Sequence, residues 1–91
     1  MQLRQVGGNL FVASLSFVYT STGRPLTTGS IGCRARVGAN LLKVVTRTFS
    51  GTSTLCAWRV PAWAHSRKIG GGVAVRMGDA VVSHGFVHTV D

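Results

Sequence analysis

Cys33 and Cys56 have the widest chemistry open to them of any residues in this chain. Two thiols can close a disulfide, hold a metal as thiolates, or attack an electrophile beside a base. They stand 23 residues apart, each midway along an alternating run. Residues two apart on a pleated strand share a face. Ile31, Cys33, Ala35 and Val37 therefore form one surface, and Cys56, Trp58 and Val60 another. A covalent staple across a small β-sheet core needs that placement. An even cysteine count and a short chain favour the bond. Two buried free thiols packing as small hydrophobes are the alternative.

Other chemistries find less support. Metal ligands would have to come from Cys33, Cys56, His65, His84 and His88, yet no Cys-x-x-Cys or tight Cys/His cluster exists. His84 and His88 suit one ion on a helix, but along a strand they sit about 13 Å apart. Only Asp79 and Asp91 carry carboxylates, so paired-acid catalysis has no partners, and Asp79 follows Gly78 as a turn former. Gly70-Gly71-Gly72 lacks the Lys-Ser/Thr and following helix of a phosphate loop. It reads as a flexible lead-in to a strand, or as a place where backbones approach closely. The chain is expected to be no enzyme, without cofactor or metal.

Binding is the remaining function. Trp63, His65, Arg67 and Lys68 follow Pro61 in a loop and form the candidate binding surface. An aromatic ring beside cations can stack on a sugar, a base or a protein. The alternative is that Trp63 folds back and caps the open end of the domain. Ten Lys and Arg against two Asp give a net charge of +8. That favours polyanions in general, but the cations are scattered and read first as solvated strand faces.

These residues must be positioned by strands. Ninety-one residues make one domain that buries about two-thirds of its unfolded surface. Glu is absent and Lys scarce, while Val, Thr, Ser and Phe abound. No apolar run approaches the roughly 20 residues of a membrane helix. Residues 1–8 read as an extension or linker and 9–90 as the domain. A long strand is predicted from Asn9 to Thr20, with Phe11, Ala13, Leu15, Phe17 and Tyr19 on one face. Further strands are predicted around Ile31–Val37, Leu41–Phe49, Thr54–Val60, Val73–Arg76 and Val81–Val90. Turns fall at Ser21–Pro25, Gly38–Asn40, Ser50–Ser53 and Gly78–Asp79, and a loop or single turn spans Ala62–Lys68.

The order of these elements resembles an immunoglobulin-like β-sandwich module of bacterial, actinobacterial-type secreted and cell-surface proteins. Gly23-Arg24-Pro25-Leu26, Gly29-Ser30-Ile31-Gly32-Cys33 and Cys56-Ala57-Trp58-Arg59-Val60-Pro61 carry the likeness. Arg67-Lys68-Ile69-Gly70-Gly71 and Val82-Ser83-His84-Gly85-Phe86 complete it. The resemblance implies an all-β, antiparallel sandwich of six to seven strands with a Cys33–Cys56 disulfide. It also implies a non-catalytic structural, adhesion or spacer domain of a larger secreted or surface protein. The partners would be neighbouring domains, with acidic glycans or another protein at the loop. The amino terminus lacks the apolar stretch of an export signal, so an extracellular location implies a piece of a longer protein, a trimmed chain or a misplaced gene start. Trp63, His65 and His88 depart from the pattern, and antibody domains space their cysteines more widely. The rival expectation is a small basic β-barrel that binds nucleic acid inside the cell. It is weakened because Phe11, Phe17, Tyr19 and Trp58 fall on the face expected to be buried.

Overall fold

A computed structural model describes residues 1–7, 9–16, 22–23, 29–50 and 53–90. The described strands are β1 (Gln2–Val6), β2 (Leu10–Leu15), β3 (Ser30–Val37), β4 (Asn40–Leu41), β5 (Val44–Ser50), β6 (Ser53–Arg59), β7 (Lys68–Met77) and β8 (Ala80–Thr89). All pairings are antiparallel, in two four-stranded sheets ordered β1-β2-β6-β5 and β4-β3-β7-β8. The sheets pack face to face as a β-sandwich. Period-two alternation explains the packing: Ala35 and Val37 point inward from β3 while Gly32, Arg34 and Arg36 face water. From the opposite sheet Phe11, Ala13 and Leu15 of β2 meet Cys56 and Trp58 of β6, with Ile69, Val73 and Val75 of β7 across from them. Among the described residues no helix is long and apolar enough to cross a membrane.

A disulfide joins Cys33 of β3 to Cys56 of β6, with 6.0 Å between α-carbons, and so ties one sheet to the other. Trp58, fully buried, lies two residues along the same face of β6. Gly38 and Gly78, both at φ +60, open the two-residue hairpins β3–β4 and β7–β8. Such turns require positive φ at that position, and glycine supplies it without a steric penalty.

The architecture departs from expectation at four places. Among the described residues eight strands are present where six to seven are expected. Gln2–Val6, inside the segment read as an extension, form β1 and pair with β2. A single inward apolar residue, Leu3, anchors that strand, which is too weak a period to stand out among Gln2, Arg4 and Gln5. The run Leu41–Phe49 is two strands in different sheets. At Leu42 and Lys43 the chain crosses over: the Leu42 N–H donates to the Ala35 carbonyl (2.8 Å), while the Arg59 N–H donates to the Lys43 carbonyl (3.0 Å). A bulge between Val44 and Thr46 accommodates the change of sheet. Finally, Gly70, Gly71 and Gly72 lie inside β7, paired on both sides, and are no lead-in. The strand predicted through Phe17 and Tyr19 and the turn at Arg24 and Pro25 lie outside the described residues.

Close approach explains one of these glycines. A β-carbon on Gly71 would land on the Arg34 carbonyl oxygen and 2.8 Å from the Ala35 α-carbon, both backbone atoms that cannot swing away. On Gly70 it would meet nothing within 4 Å. We expect Gly71→Ala to destabilise the fold by about 1–3 kcal/mol in urea unfolding, as overpacking does. Gly70→Ala should stay within about 0.5 kcal/mol of the parent, as open positions do. Equal effects at the two sites would contradict the packing described.

Candidate binding surface and the stapled core

The loop after β6 is built on a frame fastened at both ends. Val60 donates its N–H to the Asn9 carbonyl (2.8 Å), and Pro61 then ends the ladder because it has no N–H to give. Ala62–Ala64 make one 3₁₀ turn, closed by the Ala64 N–H on the Pro61 carbonyl (3.0 Å). Ser66, at φ +65, donates to the Val90 carbonyl (3.1 Å), and Val90 donates back to the Arg67 carbonyl (2.9 Å). The loop is thereby locked against the end of the last strand.

Within that frame, fully buried Ala64 plugs the end of the core, and Trp63 stays 48% exposed. His65, Arg67 and Lys68 are exposed as well. The Arg67 guanidinium sits 5.9 Å from the centre of the Trp63 ring. That is within range of a cation–π contact, which holds the indole against a positive charge. The site can therefore offer a stacking surface with a cation beside it. Lys68 belongs elsewhere: it opens β7 and borders a different depression, described below.

Beside the staple lies an aromatic cluster that the sequence reveals only in part. Phe11 stacks on Trp58 at 5.7 Å between ring centres, and Phe86 tilts against both at 5.3 and 5.4 Å. His88 also stacks on Phe11, at 4.7 Å. Its Nε2 lies 3.3 Å from Gln5 Oε1, and since that oxygen can only accept, the imidazole donates. His88 therefore occupies an aliphatic-type position as a flat packing surface with a polar tip that holds β1. Thr54 Oγ1 and Trp58 Nε1 are buried and find no hydrogen-bond partner among the described residues. Both sulfurs are taken up in the disulfide. Among the described residues no three of His, Cys, Asp and Glu come together as a metal cluster would require.

A trough of about 920 Å³ lies on the outer face of the second sheet, across β3, β7 and β8. Its floor is glycine backbone and its cations include Arg34, Arg36 and Lys68. Of the four loop residues, only Lys68 reaches it. The signal in the sequence was the coincidence of outward glycines in two runs, Gly32 just ahead of Arg34 and Arg36, and Gly70 and Gly72 of the triple glycine of β7. Registering the two runs against each other requires the fold. Set against protein-family models, curated proteins and solved structures, the chain matches none.

Proposed function

We propose that this chain is a non-catalytic, extracellular immunoglobulin-like domain serving as a spacer or adhesion unit of a larger secreted or cell-surface protein. One observation carries the reading: a covalent bond between the two sheets, set within a particular strand order. Immunoglobulin sandwiches of the constant type place strands A-B-E-D against C-F-G. Here β1-β2-β6-β5 takes the first order, and β3-β7-β8, with the short β4 beside β3, takes the second. The tryptophan packed beside the disulfide is a further point of likeness. The wiring differs from antibody domains, whose bond joins strands B and F. In this chain the bond joins β3 and β6, in the C and E positions.

The staple supports an oxidising compartment, because cytosolic thiol pools keep most such pairs reduced. Presentation is the activity such a domain performs: a stiff body holds its loops and faces at a fixed distance from its neighbours. Partners on this reading are adjoining domains and ligands of the exposed cationic surface. The nucleic-acid reading is weakened because Phe11 and Trp58 are fully buried, which leaves the half-exposed Trp63 beside Arg67 to offer a face for base stacking.

Thiol trapping of the native protein tests the proposal. In the producing cells, alkylation before reduction should leave Cys33 and Cys56 unmodified, and the protein should be found outside the cytoplasm. A cytosolic pool with both thiols freely alkylated would overturn it.

A further inference from the structure

The outer face of the second sheet is paved in an unusual way. In successive cross-strand rows, Arg36 stands beside Gly70 and Val87, Arg34 beside Gly72 and Gly85, and Gly32 beside Ala74 and Ser83. Glycine is a poor choice for strand interiors, since it loses the most freedom on folding and packs nothing. Packing within the domain does not require it at Gly70, Gly32 or Gly85, whereas at Gly72 a β-carbon would come 3.0 Å from the His84 carbonyl oxygen. A β-carbon at Gly70 would meet nothing within 4 Å, one at Gly32 has its nearest neighbour at 4.0 Å, and one at Gly85 at 3.6 Å. None of the three has a positive φ, so conformation does not require glycine either. What the missing side chains leave is bare, flat backbone that something outside the domain can approach.

The charges around that floor say what kind of molecule suits it. Arg34 and Arg36 stand two apart on β3, about 7 Å along the strand, and both side chains are exposed on this face. Lys68 and Arg47 line the same trough, and no carboxylate does. Guanidinium groups match planar oxyanions through paired hydrogen bonds better than a point charge does. A row of such groups beside an open floor suits a linear chain with an acidic group on each repeat. Among the lining residues Phe86 is buried and the imidazole of His84 is the one exposed ring, so nucleic-acid bases would find little to stack upon.

We propose that the glycine-floored trough of the second sheet, flanked by Arg34, Arg36 and Lys68, is a binding site for an acidic polysaccharide. This deepens the extracellular reading and rests on it for where such a chain is met. The two fail separately: an oxidised, exported domain that ignores acidic sugars would sink the trough alone.

Calorimetric titration of the oxidised protein in about 0.15 M salt, where long-range charge is screened, is the test. The probes are heparin oligosaccharide (sulfated), polygalacturonate oligomer (carboxylated), neutral dextran, and single-stranded DNA of matched charge. At least one acidic saccharide should bind saturably, dextran should not, and DNA should bind more weakly; which saccharide binds identifies the acidic group. Arg34→Ser with Arg36→Ser should weaken binding by about tenfold or more, as loss of paired guanidinium contacts does. Arg4→Ser with Arg59→Ser removes the same charge from the exposed surface of the other sheet and should change affinity less than about twofold, as distant rim charges do. Gly70→Thr with Gly85→Thr should abolish binding while leaving the melting temperature unchanged or higher. The proposal fails if neither saccharide binds or if DNA binds more tightly than both. It also fails if the two arginine pairs lose equally or if the threonine variant binds as the parent does. Should that variant not fold, the arginine comparison decides alone.

Discussion

Reduction of the Cys33–Cys56 bond is expected to lower the stability of this domain by about 3.5 kcal/mol, from loop-closure entropy for residues 23 apart. A domain of this size has a total stability on the order of 5–14 kcal/mol, so the loss is a large share of the whole. Converted through the unfolding entropy of small domains, it corresponds to a fall in melting temperature of roughly 15–25 °C. The Cys33→Ala, Cys56→Ala double variant should show the same fall and should not respond to reductant. Thermal scans of parent and variant, with and without a phosphine reductant, measure it. A parent whose transition moves by less than about 3 °C on full reduction would show that the sheets hold together without their link.

Replacement of Trp58 by alanine comes second, at about 3–5 kcal/mol, the range for deleting a large buried aromatic. The side chain is fully buried and touches both Phe11 and Phe86, so its removal opens a void between the sheets beside the disulfide. Trp58→Phe should behave differently. It keeps a ring in the cluster and removes an indole N–H that has no partner among the described residues. Losing an unpaired buried donor offsets part of the lost volume, so we expect a cost of no more than about 2 kcal/mol. Urea unfolding of the three proteins checks the order. If phenylalanine costs as much as alanine, the indole nitrogen is bonded and the cluster is packed differently.

Strand chemistry was plain in the sequence wherever one face alone is buried. Ile31, Cys33, Ala35 and Val37 alternate with outward partners, and β3 follows them closely. The positions of Cys56 and Trp58 on one face of β6 were equally legible, because Pro61 ends that run and sets its register. What escaped were features in which neighbouring strands override local pattern. β1 has one anchor residue and forms because β2 supplies an open edge. The break at Leu42 and Lys43 is invisible in a continuous Val/Thr-rich run, since hydropathy does not say which sheet a strand joins. The triple glycine of β7 reads as punctuation until its rows are aligned with β3 and β8. In the loop, a tryptophan after a proline gave no sign of which residue closes the core; Ala64 does so because it is small enough to enter. The trough lay furthest from view, because its cations and its floor come from β3, β5, β7 and β8, which only the folded sandwich brings side by side.

The cross-link between β3 and β6 also governs how far the chain can lengthen under load. Tension applied along the polypeptide would unravel the segments on either side of the bond, while the stretch it encloses stays out of the line of force. At about 3.3–3.6 Å per extended residue, roughly 70–80 Å of contour is held in reserve. Pulled from both sides, the domain would therefore stop at a fixed length, and only a reductant would release the rest.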